Sequence, residues 1–403
     1  MLKAYKYRIY PTIDQEVFIA KHFGCVRLLY NVGLLYRQYA WQGGVSIGYF
    51  ESKRELPELK KEYPFLKEVN SQSLQKSLKD LDTAYSNFFK KKSGYPNFKS
   101  KYGRQSFHCP QSVTIFLSKG LLFLPKFKEP IKVVVHRKFK GTIRSCTVSK
   151  TQTGKYFASI LVENNIELPI KKPITDETAI GDDLGIKDFI VSSNGEKTNN
   201  PTYLKEALGK IKYLNKQLSK KKKGSKRRNK ARLKLAKEHE KIANQRKDFL
   251  HKESNEKTNH FDTVCMEELK VRNMVKNRKL ARAINDAGWG MYKEFVKYKC
   301  EFKGKNFLQC GTFDPSSKTC HCCDFVNHDL KLSDREWTCP SCKTVLDRDE
   351  NASINIKRFA LRKWRVERSL QDTEVSPLPK PKGKGKRAVE VLKIRKSVLL
   401  IAS

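Results

Sequence analysis

The sequence predicts an α+β protein built from several domains. Apolar residues recur at helical spacing in two long stretches, near residues 13–38 and 71–91. Between residues 112 and 167 the pattern changes to short alternating runs separated by turn residues, which is typical of strands. From residue 178 strands and helices are mixed again. A chain of 403 residues has room for about two to four domains with real cores.

The N-terminal segment, residues 3–11, is predicted to be a short strand. Tyr7 and Ile9 alternate with Lys6 and Arg8, so that apolar and basic side chains face opposite sides. We expect this strand to join the strands of residues 112–167 in one β-domain. Lys6 and Arg8 are candidate nucleic-acid contacts.

Thr12 is the predicted cap of the first long helix, and the second helix follows near Ser71. Their apolar stripes fit an ordinary helix-bundle core better than a ligand site. The basic loop after the second helix, residues 90–106, interleaves lysines with aromatic rings, which can stack on bases while the cations hold phosphates. A solvated loop would look similar. The candidate contacts in this loop are Tyr95, Phe98, Lys99 and Lys101.

A third region starts with a predicted strand, residues 179–184, that carries Asp183 and pairs with residues 189–192. A strand pair with an inward carboxylate is how an RNase H-like fold begins. Two stretches with helical apolar spacing follow, joined by a basic tip at residues 219–228. The density of Lys and Arg in this tip favours contact with phosphates over a merely solubilising role. The candidate contacts of this tip are Lys220, Lys221, Lys222, Lys223, Lys226, Arg227 and Arg228.

Three separated acidic residues indicate a metal-dependent nuclease. Asp183 lies in its strand, Glu267 follows a predicted strand at residues 261–266, and Asp349 starts a helix, where the helix dipole favours a carboxylate. Carboxylates brought together by the fold can hold a pair of Mg²⁺ ions, which activate a water and stabilise the leaving oxygen of a phosphodiester.

The composition points to the same substrate. Lys and Arg number 83 against 42 Asp and Glu, a formal net charge of +41, and a surface this basic binds polyanions. A membrane would attract it too, but the sequence has no long apolar run, signal-peptide core or lipidation motif. We therefore expect nucleic acid as the partner, no membrane, and an intracellular protein.

Four of the 11 cysteines form a zinc-ribbon pattern. Cys320 and Cys323 make one C-x-x-C pair, and Cys339 and Cys342 make another, a spacing that suits four thiolates around one structural Zn²⁺. Cys322 lies inside the first pair and is an alternative ligand, although the spacing favours Cys323. The other cysteines are expected to be small buried hydrophobes.

Several motifs in order resemble the TnpB (OrfB) family of bacterial insertion-sequence proteins, relatives of the type V CRISPR nucleases. They are the K-Y-R-I-Y-P opening, G-D-D-L-G-I-K-D-F, N-D-A-G-W, S-S-K-T-C-H-C-C and D-R-D-E-N-A-S-I-N-I. The resemblance runs from residue 1 to about 365. It implies an RNA-guided DNA endonuclease that pairs a transposon-derived guide RNA with double-stranded target DNA and cuts with Mg²⁺. It further implies a monomer with RNA in the bacterial cytoplasm, associated with the nucleoid.

By position, the resemblance implies that Asp183, Glu267 and Asp349 are the three RuvC-type catalytic acids. Asp347 is a near neighbour that spacing alone does not exclude, but the family motif places its acid two residues before Asn351. The four paired cysteines match the family's zinc ribbon.

The implied architecture is an RNase H-like (RuvC) nuclease domain with an inserted zinc ribbon, a β-barrel wedge domain and a helical recognition domain. The wedge barrel would span 1–12 and 108–175, the helix-turn-helix-like recognition domain 13–107, the nuclease domain 176–318 and 346–365, the zinc ribbon 319–345, and a disordered basic tail 366–403.

Three positions depart from the family pattern. Asp182 stands where Val or Ile is usual, and Asp324 and Lys343 replace the glycine after each cysteine pair. Strand alternation sends Asp182 away from Asp183, so its carboxylate is buried and unpaired, paired with a cation, or exposed at the sheet margin. If it is unpaired, it weakens the strand and Asp182→Ile raises the melting temperature.

Two other functions are compatible with parts of the pattern. One is a guided DNA-binding regulator with an impaired nuclease, which the presence of all three acids disfavours. The other is a transposase that acts directly in recombination. The transposases that partner this family use an H-x-H pair, and none of the eight histidines forms one. A transposase that needs only carboxylates stays possible.

Overall fold

The computed structural model describes residues 1–331 and 333–371. The chain divides into two compact units, the first comprising Met1–Ile166 and the second starting at Glu167. Among the described helices, none combines the length and the apolar character needed to cross a membrane.

The first unit is a seven-stranded antiparallel sheet with helices inserted after its first strand. The strands are β1 (Leu2–Tyr10), β2 (Gln105–Cys109), β3 (Thr114–Phe116), β4 (Leu121–Phe123), β5 (Ile131–Val134), β6 (Thr142–Lys150) and β7 (Tyr156–Glu163). The insertion contains α1 (Ile13–Gln42), α2 (Tyr49–Arg54), α3 (Leu56–Glu62), a 3-10 turn (Pro64–Lys67) and α4 (Ser71–Phe89).

Strand β1 lies inside this sheet, whose order is β2-β6-β7-β1-β5-β4-β3. It pairs with β7 on one side and β5 on the other, and its alternation buries Tyr7 and Ile9, as the sequence predicted. β2 and β3 stand at the two ends of the order, and no pairing among the described strands closes the sheet. The closed barrel therefore stays a prediction.

The first helix begins where the sequence predicted. The Thr12 side chain accepts a hydrogen bond from the Gln15 backbone, and the Gln15 side chain accepts one from the Thr12 backbone, which forms a capping box. Apolar side chains of α1 such as Phe23 pack with Phe107 of β2 in the core of the sheet.

The second unit is built around a five-stranded mixed sheet of order β10-β9-β8-β11-β12. Its strands are β8 (Ala179–Leu184), β9 (Asp188–Ser192), β10 (Lys197–Asn199), β11 (Thr263–Met266) and β12 (Asn306–Gln309), with a separate hairpin of β13 (Glu336–Thr338) and β14 (Val345–Asp347). Its helices are α5 (Tyr203–Ser219), α6 (Lys226–His260), α7 (Val271–Met274), α8 (Ala281–Ala287), α9 (Trp289–Phe302) and α10 (Arg348–Gln371).

Strands β8, β9 and β10 are antiparallel neighbours, whereas β8, β11 and β12 run parallel. Ile180 of β8 packs on the side of α6 and α9, while Ala179 packs on the side of α10. Gly181 lets α10 approach closely, because a Cβ there would lie 2.2 Å from the Ser353 carbonyl oxygen.

Helix α10 continues to Gln371, so the start predicted for the disordered tail, residue 366, was placed too early. The helix extends past Val366 because the Pro- and Gly-rich composition that breaks helices begins only at position 377. The remainder of that predicted tail, 372–403, lies outside the described residues.

Candidate active site

Alternation along β8 separates its two adjacent aspartates. Asp183 shares the side of Ala179 and Gly181, which faces α10, and Asp182 shares the side of Ile180. Glu267 follows the buried strand β11, which is the parallel neighbour of β8. Asp349 lies in the first turn of α10. Three elements that are distant in sequence therefore deliver the three predicted acids to one side of the sheet.

The charges of these residues act on one another. Burial raises the pKa of Asp183 to about 7, and the nearby carboxylates of Asp349 and Glu267 add to the rise, while Arg348 opposes it. Burial also raises the pKa of Glu267, with a further contribution from Asp314. Asp183 and Glu267 are thus buried carboxylates with raised pKa values, a setting that a bound cation would relieve.

The carboxylate of Asp349 lies between two arginines. Arg348 Nη2 lies 2.8 Å from Asp349 Oδ1, and Arg335 Nη1 lies 3.0 Å from Oδ2. Arg335 comes directly before β13, so a segment between the two cysteine pairs reaches the third acid.

Asp347 has a different role. Its Oδ1 accepts hydrogen bonds from the backbone N–H groups of Asp349 (2.9 Å) and Glu350 (3.0 Å), as the cap of a helix does. Its Oδ2 lies 2.8 Å from Lys197 Nζ. Burial alone would raise the pKa of Asp347, but the Lys197 and backbone hydrogen bonds lower it. Both carboxylate oxygens of Asp347 are therefore engaged, one of them in capping the N-terminus of α10. Asp349, by contrast, is the acid whose charge contributes to the raised pKa of Asp183.

Asp182 is buried and paired. Ser192 Oγ donates a hydrogen bond of 2.7 Å to Asp182 Oδ1, and Lys257 Nζ lies 3.9 Å from the same oxygen. Burial raises the pKa of Asp182, and the charge of Lys257 counteracts this. Asp182 Oδ2 and the Tyr292 hydroxyl have no hydrogen-bond partner among the described residues, although the hydroxyl is near enough to help lower that pKa. Of the three alternatives, a buried, paired carboxylate is the one found.

The four predicted cysteines come together. One sulfur from each of Cys320, Cys323, Cys339 and Cys342 lies within 4.8 Å of the others, which suits one tetrahedral metal ion. Cys323 belongs to this cluster and Cys322 does not. Within the described residues this is the one group of three or more His, Cys, Asp or Glu side chains found close enough together to hold a metal ion.

Asp324 and Lys343 occupy the strained turns expected at the missing glycines. Their φ angles are 63° and 60°, in the left-handed region. Each turn is closed by a backbone hydrogen bond, from Asp324 N to Cys320 O (3.0 Å) and from Lys343 N to Cys339 O (2.9 Å). Asp324 also pairs with Arg358 of α10, which ties the first turn to the helix.

Two asparagines of α10 join the cysteine cluster to the helix of the third acid, a role that the sequence reasoning missed. Asn351 Nδ2 donates to Thr319 O (2.8 Å), and Asn351 Oδ1 accepts from His321 N (3.0 Å). Asn355 Nδ2 donates to the same Thr319 oxygen (2.6 Å). Both side chains are buried. The signal was their four-residue spacing in D-R-D-E-N-A-S-I-N, which places both on one helix face.

The predicted nucleic-acid contacts belong to three parts of the chain: β1, the basic loop after α4, and the basic tip between α5 and α6. On β1, Lys6 and Arg8 lie over the ring of Phe157, at 4.4 Å and 5.3 Å. In the basic loop, Lys99 Nζ lies 3.7 Å from the centre of the Tyr30 ring, and Lys101 lies over Tyr102. The exposed rings of this loop are Tyr95, Phe98 and Tyr102.

The basic tip connects α5 and α6. Arg228 is partly structural, because its Nη1 donates to the carbonyl oxygens of Leu218 (2.9 Å) and Lys221 (2.8 Å). Lys220, Lys222, Lys223, Lys226 and Arg227 are exposed, whereas Lys221 is partly buried.

Three family models match parts of the chain. Residues 159–278 match the OrfB_IS605 family, described as "Probable transposase"; residues 289–356 match the "Cas12f1-like, TNB domain"; and residues 1–44 match the helix-turn-helix domain of OrfB_IS605 proteins. The TNB match covers all four clustered cysteines.

Relatives match along most of the chain. A Streptomyces pristinaespiralis protein named "Putative RNA-guided DNA endonuclease" is 41% identical over 360 residues, 88% of each chain. The Escherichia coli K12 protein InsQ, which carries the same description, is 29% identical over 376 residues, 88% of this chain and 91% of its own. A solved Cas12f1 complex with sgRNA and target DNA aligns at a TM-score of 0.49 and 14% identity, covering 89% of this chain and 98% of Cas12f1.

The chain is a mixed α/β protein with a carboxylate-rich site and a four-cysteine cluster. It belongs to the OrfB_IS605 (TnpB) family of insertion-sequence proteins, which confirms the resemblance predicted from the sequence.

Proposed function

We propose that this chain is an RNA-guided DNA endonuclease of a transposable element, with Asp183, Glu267 and Asp349 as its catalytic acids. The observation that carries the proposal is that β8, β11 and α10 bring these three acids to one side of the sheet, where burial raises the pKa of Asp183 and the charges of Asp349 and Glu267 raise it further. The relative that is 41% identical, in an alignment that covers 88% of both chains, is named "Putative RNA-guided DNA endonuclease".

The sheet order supports an RNase H-like nuclease domain. Three antiparallel strands, β10-β9-β8, continue into the parallel strands β11 and β12, and the first acid lies on the central strand. This is the strand pair with an inward carboxylate that the sequence predicted. The first unit would supply the wedge and the helical recognition domain.

The donor chemistry of the acids fits Mg²⁺, which prefers carboxylate oxygens. Asp183, Glu267 and Asp349 would hold a pair of these ions. When bound, Mg²⁺ supplies an activated water and stabilises the leaving oxygen of the phosphodiester. Arg335 and Arg348 hold Asp349 in place by their ion pairs.

The four thiols fit Zn²⁺, which would have a structural role because all four ligands come from the protein. The Asn351 and Asn355 hydrogen bonds would then transmit the rigidity of this cluster to the helix that carries Asp349.

The test is to express the chain together with the DNA that flanks its gene, and to sequence the RNA that co-purifies. We expect one discrete RNA whose end matches flanking DNA. With Mg²⁺, the purified complex should cut DNA that matches this end. A complex that binds matched DNA without cutting would favour the guided regulator. Absence of any discrete RNA would contradict the proposal.

A further inference from the structure

The helical insertion of the first unit contains a pocket that the proposed nuclease site does not use. It lies where α1 and α4 end, and its volume is about 450 Å³, which is room for a flat ring system. Its lining includes Arg37, Trp41, Asp82, Tyr85, Phe89 and Tyr95.

The walls of the pocket are aromatic and open to solvent. Trp41 and Phe89 are each 71% exposed, although rings of this size are usually buried. Tyr85 and Tyr95 hold each other in place, because their hydroxyls lie 2.9 Å apart and their rings meet edge to face at 5.6 Å. The pocket is therefore formed in advance, with large apolar faces available for stacking.

The floor of the pocket is polar. Arg37 is buried, its Nη2 lies 2.9 Å from Asp82 Oδ1, and its guanidinium packs over the Tyr85 ring at 5.3 Å. Arg37 Nε is buried without a hydrogen-bond partner in the described part of the chain. A buried donor without an acceptor is costly, so an entering group with an acceptor atom would be favoured. The Asp82 side chain is 43% exposed and can accept from an amino group.

The surroundings are cationic. α4 ends at Phe89 and is followed at once by Lys90, Lys91 and Lys92, all exposed. Flat apolar faces beside a run of cations suit a stacked base with its phosphates outside. An apolar peptide would match the rings but not the lysines.

We propose that this pocket holds an unpaired nucleobase of the RNA partner, stacked between the aromatic side chains of Trp41 and Phe89. The proposal rests on the proposed function only in taking RNA as the partner. Stacking supplies the affinity, Arg37 and Asp82 meet the polar edge of the base, and the lysines hold the adjacent phosphates.

The first test is crosslinking of the protein–RNA complex as purified. Irradiation at a wavelength that crosslinks bases to aromatic side chains, followed by mass spectrometry, should yield a ribonucleotide attached at Trp41, Tyr85, Phe89 or Tyr95. A deoxyribonucleotide at these residues, or crosslinks only elsewhere, would overturn the assignment to RNA.

The second test measures the affinity of the RNA-free full chain for a short single-stranded RNA of mixed sequence. Trp41→Ala and Phe89→Ala should each weaken binding roughly 5- to 100-fold, the range of one lost base stack. The slope of affinity against salt should not change, because no phosphate contact is removed. Phe116→Ala removes a half-exposed ring of β3 in the same unit and serves as the matched control.

Unchanged binding by both pocket variants, or an equal loss in Phe116→Ala, would overturn the pocket proposal. The two proposals fail separately. If the wild-type complex cuts matched DNA while the pocket variants bind RNA normally, only the pocket proposal is wrong. If no discrete RNA co-purifies, the guided function fails, and the short-RNA measurement still tests the pocket.

Discussion

Asp182 of β8 and Lys257 of α6 form a buried ion pair, with Nζ 3.9 Å from Oδ1 and side chains 0% and 6% exposed. Ser192 of β9 bridges them, since it donates to the aspartate and accepts from Lys257 at 2.7 Å. Asp182, which departs from the family pattern, thus has Lys257 as its partner. The pair lies on the face of β8 opposite to Asp183.

This pair reverses the expectation for Asp182→Ile. Removal of Asp182 would leave the buried Lys257 ammonium with only the exposed Glu196 carboxylate, 3.4 Å away, as its ionic partner among the described residues. A fully uncompensated buried charge costs about 3 to 5 kcal/mol, which is the upper bound of the loss. Asp182→Ile should therefore lower the melting temperature, not raise it. The double variant Asp182→Ile/Lys257→Leu should recover most of the loss, because no buried charge remains. A single variant that melts higher than the wild type would show that the pair contributes nothing.

The raised pKa of Asp183, about 7, predicts a pH-dependent stability in Mg²⁺-free buffer. An acid whose folded pKa exceeds its usual value contributes stability below that usual value and loses it as the pH rises through 7. Asp183→Asn should melt at a higher temperature than the wild type at pH 5.5, which is already above the usual pKa of an aspartate, and by a larger margin at pH 8.5. Asp262→Asn is the control of opposite sign, because Lys172 lowers the pKa of Asp262. Equal melting of Asp183→Asn and wild type at both pH values would contradict this account.

Asn351→Ala should loosen the cysteine cluster. The change leaves the His321 backbone N–H without its acceptor, at about 1 to 3 kcal/mol for an unsatisfied group, and removes one of the two asparagine donors to the Thr319 carbonyl oxygen. Zinc should then pass faster to a colorimetric chelator. Asn285→Ala, an exposed asparagine of α8, is the matched control. Identical zinc release from both variants would mean that the helix does not support the cluster.

The basic tip can be tested without disturbing the helices that carry it. Lys220, Lys222, Lys223 and Arg227 are changed to Gln, and Arg228 is kept because it donates to helix-end carbonyls. If the tip contacts phosphates, the slope of log affinity against log salt should become shallower by roughly 0.7 to 0.9 per lost contact. Equal salt slopes for the variant and the wild type would mean that the tip is a solvated surface without phosphate contacts.

The sequence was most informative where local periodicity decides the structure. Alternation along β8 correctly placed Asp182 and Asp183 on opposite faces, and Thr12 correctly capped α1. What the sequence could not supply were partners brought in by tertiary packing. Lys257 lies on a helix and Ser192 on a neighbouring strand, and no local pattern links either to Asp182.

The choice between Asp347 and Asp349 shows the same division. Spacing alone did not decide which of the two is the third acid, since both lie within a few residues before Asn351. The contacts favour Asp349 as the catalytic acid, because Asp347 caps α10 by hydrogen bonds whereas the charge of Asp349 adds to the rise that burial causes in the pKa of Asp183.

The central claim is that Asp183, Glu267 and Asp349 form the cutting site, and the most direct measurement is the rate of matched-DNA cleavage by the RNA complex with Mg²⁺. Asp183→Ala, Glu267→Ala and Asp349→Ala should each lose cleavage, while all three still bind the matched DNA, because removal of any one acid disrupts the metal site as a unit. Asp347→Ala should keep cutting with a less stable α10. Cleavage at the wild-type rate by Asp349→Ala, together with an inactive Asp347→Ala, would contradict the account.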